Sequence, residues 1–129
     1  MAKEKTITIN DKEYNEKDLS KQAQSLVQSL KVTNKEIQRI EEQLAIAKTA
    51  RNAYGISLTP NLPKPSTAKK DVVTINDKKY AYADMNKKAT ADVMSISVVD
   101  KKIASLEADL AMTKTAKNLY SKSLIEEVK

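Results

Sequence analysis

The sequence predicts a mainly α protein with small β-hairpins, a tandem repeat in which each copy is a β-hairpin followed by a long heptad-patterned helix. Three observations predict it. Sliding the chain against itself by 66 positions aligns Thr6–Leu58 with Val72–Leu124 without a gap, and about 24 of about 53 pairs are identical. Each copy opens on a period-two run closed by Asn-Asp, the signal of a two-residue turn. Beyond that turn no Gly or Pro interrupts residues 15–54 or 81–129, and the apolar spacing becomes helical. The organisation is therefore repeat 1 over 1–58, a Pro-rich linker over 59–71 and repeat 2 over 72–129.

In the first hairpin Thr6-Ile7-Thr8-Ile9 alternates, Asn10-Asp11 takes positive φ, and Lys12-Glu13-Tyr14 returns. Ile7 then faces Tyr14 and Ile9 faces Lys12; in the second copy Val73 faces Tyr80 and Ile75 faces Lys78. A lone hairpin is marginal in water, so its apolar side has to pack on the helices. In the first helical segment Leu19, Ala23, Leu26, Leu30, Thr33, Ile37, Ile40, Leu44, Ala47, Arg51, Tyr54 and Leu58 follow one another at steps of four and three. The second copy keeps the phase from Met85 to Leu124, with Asp92 where the first has Leu26 and Lys117 where it has Arg51. Such a stripe suits helices packed along their length, as in a coiled coil or narrow bundle. An unbroken helix from about Asp18 to Leu58 would measure ~60 Å. The alternative is a helical hairpin bent near residues 31–34, where Thr33 and Glu36 have capping-box spacing. Between the copies, Pro60, Pro63 and Pro65 stiffen the linker.

Composition excludes whole classes of chemistry. Of 129 residues none is Cys, His, Trp or Phe, and Gly55 is the single glycine. Thiolate or imidazole zinc sites, Cys or Ser-His nucleophilic sites and disulfides are ruled out, and one glycine cannot build a phosphate-cradling loop. No carboxylate pair stands apart from its lysine-interleaved surroundings, so acid/base chemistry has no candidate. The expectation is no catalytic residue, no cofactor, no metal and no small-molecule substrate. The net charge of +6 raises the question of a polyanionic partner. However, each repeat carries ten basic and eight acidic residues in alternation, the pattern of a solvated helix face, and nucleic acid is the weaker reading. It rests on that charge and on Lys64, Lys69 and Lys70 of the linker.

The candidate packing and interaction residues are Tyr14, Arg51, Tyr54, Tyr80, Lys117 and Tyr120. Arg51 and Lys117 are cations at stripe positions near helix ends, suited to reaching outward and setting register. Tyr54 and Tyr120, one turn further on, would close the stripe and rest on a hairpin. Val27, Val32 and Ile46, with their counterparts Val93, Val98 and Met112, lie beside the stripe and are expected to stay uncovered, which calls for self-association or a larger protein partner.

The order Thr-Ile-x-Ile-Asn-Asp-Lys-x-Tyr, then Asp18-Leu19-Ser20, Ile37–Leu44 and Thr49-Ala50-Arg51-Asn52-Ala53-Tyr54, resembles an uncharacterised family of small proteins from bacteria, including cyanobacteria, and their tailed phages. The resemblance covers both copies and departs at Met85 and Lys117. It implies a hairpin followed by a helix ending in a Thr-Ala-Arg-x-x-Tyr-like motif, and brings no activity. Taken with the residues, the expectation is a non-enzymatic structural or interaction protein, such as a phage virion or assembly component bridging equivalent protein surfaces; the alternative is a nucleic-acid-binding or regulatory module. The longest apolar runs, such as Leu44–Ala47, are far short of a membrane span, and Met1–Lys5 is followed by no apolar stretch of a secretion signal. A cytoplasmic or virion location is expected.

Overall fold

The computed structural model describes residues 5–129; Met1–Glu4, the start of the stretch read for a secretion signal, lies outside them. The chain is mainly helical, with two two-stranded antiparallel hairpins and two long helices. β1 (Thr6–Ile9) and β2 (Lys12–Asn15) pair with Ile7 opposite Tyr14 and Ile9 opposite Lys12. β3 (Val72–Ile75) and β4 (Lys78–Ala81) pair with Val73 opposite Tyr80 and Ile75 opposite Lys78. Asn10 and Asp11 have φ of 51° and 67°, and Asn76 and Asp77 repeat both values. Two successive left-handed residues match the twist of the flanking strands, and Asn and Asp tolerate that region better than other non-glycine residues.

A single 3-10 turn leads from each hairpin into its helix, Glu16–Asp18 into α1 (Lys21–Leu58) and Tyr82–Asp84 into α2 (Lys87–Glu127). Polar side chains start both helices. The Ala23 N–H donates to Ser20 Oγ at 3.1 Å, and the Ala89 N–H donates to Asn86 Oδ1 at 2.7 Å, each supplying an acceptor to an otherwise unpaired helix donor. α1 is helical through residues 31–34, so the bent alternative does not occur. Thr33 Oγ1 donates back to the Leu30 carbonyl of its own helix at 3.0 Å, where a cap would have accepted an N–H at a new helix start.

The chain divides into two compact units whose bounds differ from those of the repeats expected from the sequence. Unit 1 combines the described part of Met1–Glu42 with Glu107–Lys129, and unit 2 is Gln43–Leu106. In unit 1, Ser20 Oγ donates to Glu127 Oε1 at 3.0 Å, and Leu124 joins Ile9, Leu19, Ala23 and Val27 in the core. The start of α1 therefore lies beside the end of α2, an antiparallel pairing, with the first hairpin across the junction. In unit 2, Ser57 Oγ donates to Asp92 Oδ2 at 2.7 Å, Asn86 Nδ2 donates to Asn61 Oδ1 at 3.3 Å, and Leu58 packs with Ala89 and Val93. Val73 and Ile75 of the second hairpin cover that cluster.

One expectation is corrected here. Val27 and Val93 are 3% and 7% exposed, so neither belongs to an uncovered face. Both lie within the first two turns of their helices, where the hairpin widens the buried face beyond the stripe. Val32, Ile46, Val98 and Met112, further along, are exposed. The linker is held on the second hairpin: the Ser66 N–H donates to the Lys79 carbonyl at 2.7 Å, the Tyr82 N–H donates to the Asp71 carbonyl at 3.0 Å, and Leu62 packs on the Leu58 cluster.

Candidate functional site

Each unit holds a groove where a hairpin, the first turns of one helix and the last turns of the other converge. In unit 2 the groove has a volume of about 760 Å³ and runs from Val73–Asn76 to Val93, Ile96 and Asp100 of α2 and to Arg51, Gly55 and Leu58 of α1. In unit 1 it has a volume of about 400 Å³ and runs from Ile7–Asn10 to Val27, Leu30 and Asn34 of α1 and to Lys117, Ser121 and Leu124 of α2. Every residue lining the smaller groove has its counterpart, 66 positions away, lining the larger one. The floor is aliphatic in both, because the hairpins present Ile7 and Ile9, or Val73 and Ile75, to the helices.

The rims differ in charge. In unit 2, Arg51 Nε donates to Asp100 Oδ1 at 2.5 Å and Nη2 to Oδ2 at 3.4 Å. Hydrogen bonding to Asp100, and then its negative charge, hold the Arg51 guanidinium proton more tightly than usual. Both side chains are about half exposed, so the pair adds only ~0.2–1 kcal/mol. In unit 1 the equivalent positions are Lys117 and Asn34. Lys117 is half-buried and has no ion-pair or hydrogen-bond partner among the described residues. Lys31, also lining this groove, pairs with Glu16 at 3.0 Å.

Of the residues singled out in the sequence, the structure brings Arg51 and Lys117 to the grooves, one in each unit. Tyr14 packs against the unit 1 core, and Tyr80 is 7% exposed. Tyr54 and Tyr120 are half-buried. The helix-end residues that enter the hairpin clusters are Leu58 and Leu124, one turn beyond those tyrosines. Sequence reasoning missed Asp100 and Asn34 as rim residues. Asp100 is 49 positions from Arg51, and the available signal was the antiparallel pairing, which sets the end of one helix against the first half of the other. Asp92, read as a polar departure from the stripe, is the acceptor for Ser57.

No group of three or more acidic residues is placed to hold a metal ion among the described residues. No helix there is long and apolar enough to cross a membrane. No protein-family model, curated protein or solved structure matches the chain.

Proposed function

We propose that this chain is a non-catalytic interaction protein, built by duplication of a hairpin-and-helix unit with heptad-patterned helices, that grips equivalent segments of a protein assembly through its two grooves. The observation that carries the reading is the paired lining: every position that lines the smaller groove has its equivalent, 66 positions away, lining the larger one. Two linked weak contacts of this kind gain avidity by raising effective concentration, without new chemistry. The conspicuous side chains serve packing, capping and rim ion pairs, which supports binding in place of catalysis. Exposed Val32, Ile46, Val98 and Met112 support a protein partner or self-association as the surface that covers them. The resemblance to small proteins of bacteria and their tailed phages favours a virion or assembly component, acting in the cytoplasm or in the particle.

Photo-crosslinking tests this directly. A benzophenone amino acid placed at Thr8 or at Thr74, one in each groove, is expected to capture the same partner protein in cells that express the chain. Mass spectrometry of purified particles then asks whether that partner is a virion component. Crosslinks at neither groove, with efficient capture from a surface site such as Ile46, would overturn the groove reading.

A further inference from the structure

We propose that the unit 1 groove is a receptor for an extended segment of a protein partner that carries a carboxylate next to an aliphatic side chain, whereas in the unit 2 groove Asp100 already holds the cation at that position, so the equivalent segment binds there more weakly. This deepens the interaction role and rests on it. Three observations combine. First, the charged residues lining the unit 1 groove are Lys31 and Lys117, with no carboxylate among the described lining residues. Lys117 is half-buried over an aliphatic floor and unpaired among the described residues, so an incoming carboxylate gains a charge-assisted hydrogen bond that water screens only partly. Second, the unit 2 groove shows what satisfies that position. There Arg51 stands in place of Lys117 and is already bound by Asp100, which stands in place of Asn34. Third, residues from both faces of β1, Ile7 and Ile9 on one and Thr8 on the other, line the unit 1 groove, so it runs along the open edge of the strand.

A two-residue turn makes Ile9 and Lys12 a hydrogen-bonded pair and leaves Thr8 and Glu13 a non-bonded pair, whose main-chain groups point outward. The same alternation in the second hairpin leaves the Lys79 carbonyl free to accept the Ser66 N–H at 2.7 Å. Thr8 therefore presents an N–H and a carbonyl to the groove, and an extended peptide is the ligand shape that uses both. Its aliphatic side chain would rest on Val27, Leu30 and Leu124 while its carboxylate meets Lys117.

The test is an NMR titration of the ¹⁵N-labelled full chain with acetyl-Leu-Asp-Leu-Asp-Leu-amide and its neutral Asn analogue. The acidic peptide is expected to shift Thr8, Asn10, Lys117 and Ser121. The neutral analogue should bind at least tenfold more weakly, and Asn34→Asp, which installs the counterpart of Asp100, should cause the same loss. Asp100→Asn should strengthen the unit 2 site to the level of the unit 1 site, read as enlarged shifts at Thr74, Asn76, Arg51 and Gly55. Preserved dispersion of the remaining amide signals controls for folding. Equal affinity for the two peptides, or unchanged affinity in Asn34→Asp, overturns the charge selectivity while leaving the interaction role intact. Shifts produced by a single-stranded oligonucleotide but not by the acidic peptide overturn the ligand class. Failure of the interaction role itself is read separately, as absence of crosslinks at Thr8 and Thr74.

Discussion

Leu58 is buried in the cluster beneath the second hairpin, and its truncation has a calculable cost. It is 2% exposed and shares a cluster with Ala89 and Val93, on which Leu62, Val73, Ile75, Met85 and Ile96 rest. Leu58→Ala removes three carbons, worth about 2.4 kcal/mol at ~0.8 kcal/mol each. The cavity left beneath a two-stranded hairpin closes partly, because so small a sheet can settle, and the expected total is about 3 kcal/mol. That is a large share of the ~5–15 kcal/mol typical of a whole domain. For a chain of this size it lowers the Tm by roughly 10 °C. Urea unfolding followed by circular dichroism measures it as a reduced midpoint with an unchanged slope. Ile56→Ala, two residues away but 67% exposed, is the control and should change stability by less than ~0.5 kcal/mol. Equal losses in the two variants would refute the placement of Leu58 beneath the hairpin.

Four further outcomes are expected. Asn86→Ala removes the acceptor for the Ala89 N–H and should cost ~1 kcal/mol in thermal or urea unfolding, whereas Asn86→Asp should retain most of it. Asp77→Gly, at a φ of 67°, relieves the left-handed penalty and should stabilise by ~0.5–1 kcal/mol, while Asp77→Val should destabilise; both are read from the urea midpoint. A double-mutant cycle over Arg51→Ala and Asp100→Ala should return a coupling of ~0.2–1 kcal/mol at low salt that shrinks in 1 M NaCl. The Glu36 carboxyl is held below the usual range by its hydrogen bond from Arg39 and by that residue's charge, so its contribution is present above the unfolded pKa and fades as pH falls through the lowered folded value. Carbon-detected NMR titration should show Glu36 returning to ordinary behaviour in Arg39→Ala.

Much of the fold was legible because it follows local rules. The turn at Asn10-Asp11 and both hairpin registers are as the alternation implies, since a two-residue loop fixes the pairing. Every position read at steps of four and three from Leu19 to Leu58 is buried or half-buried except Arg51, which reaches Asp100. What escaped depends on three segments meeting. Val27 and Val93 were misplaced because the width of a buried face depends on what covers it, and a hairpin covers more than a second helix does. The grooves were invisible for the same reason, being bounded by a strand edge and two helix ends distant in sequence. Ser20 as the start of α1 and Asn86 as the start of α2 follow capping preference, yet long heptad patterns blur where a helix begins.

The division into one unit built from two distant stretches and one built from a single stretch sets an order of assembly. Ser57 meets Asp92 across 35 positions, whereas Ser20 meets Glu127 across 107. Closing the longer loop costs only about 1 kcal/mol more, so the two units differ little in equilibrium terms. On the ribosome the difference is one of time. At roughly 5–20 residues per second, the first hairpin waits ~5–20 s for the stretch that carries Leu124 and Glu127, and the cluster of Ile9, Leu19, Ala23 and Val27 lacks the cover of Leu124 until then. Unit 2 draws on one contiguous stretch and can close while the remainder is still being made. The unit that carries Lys117 is therefore completed after unit 2, and its apolar hairpin spends that interval open to chaperones or to a premature partner.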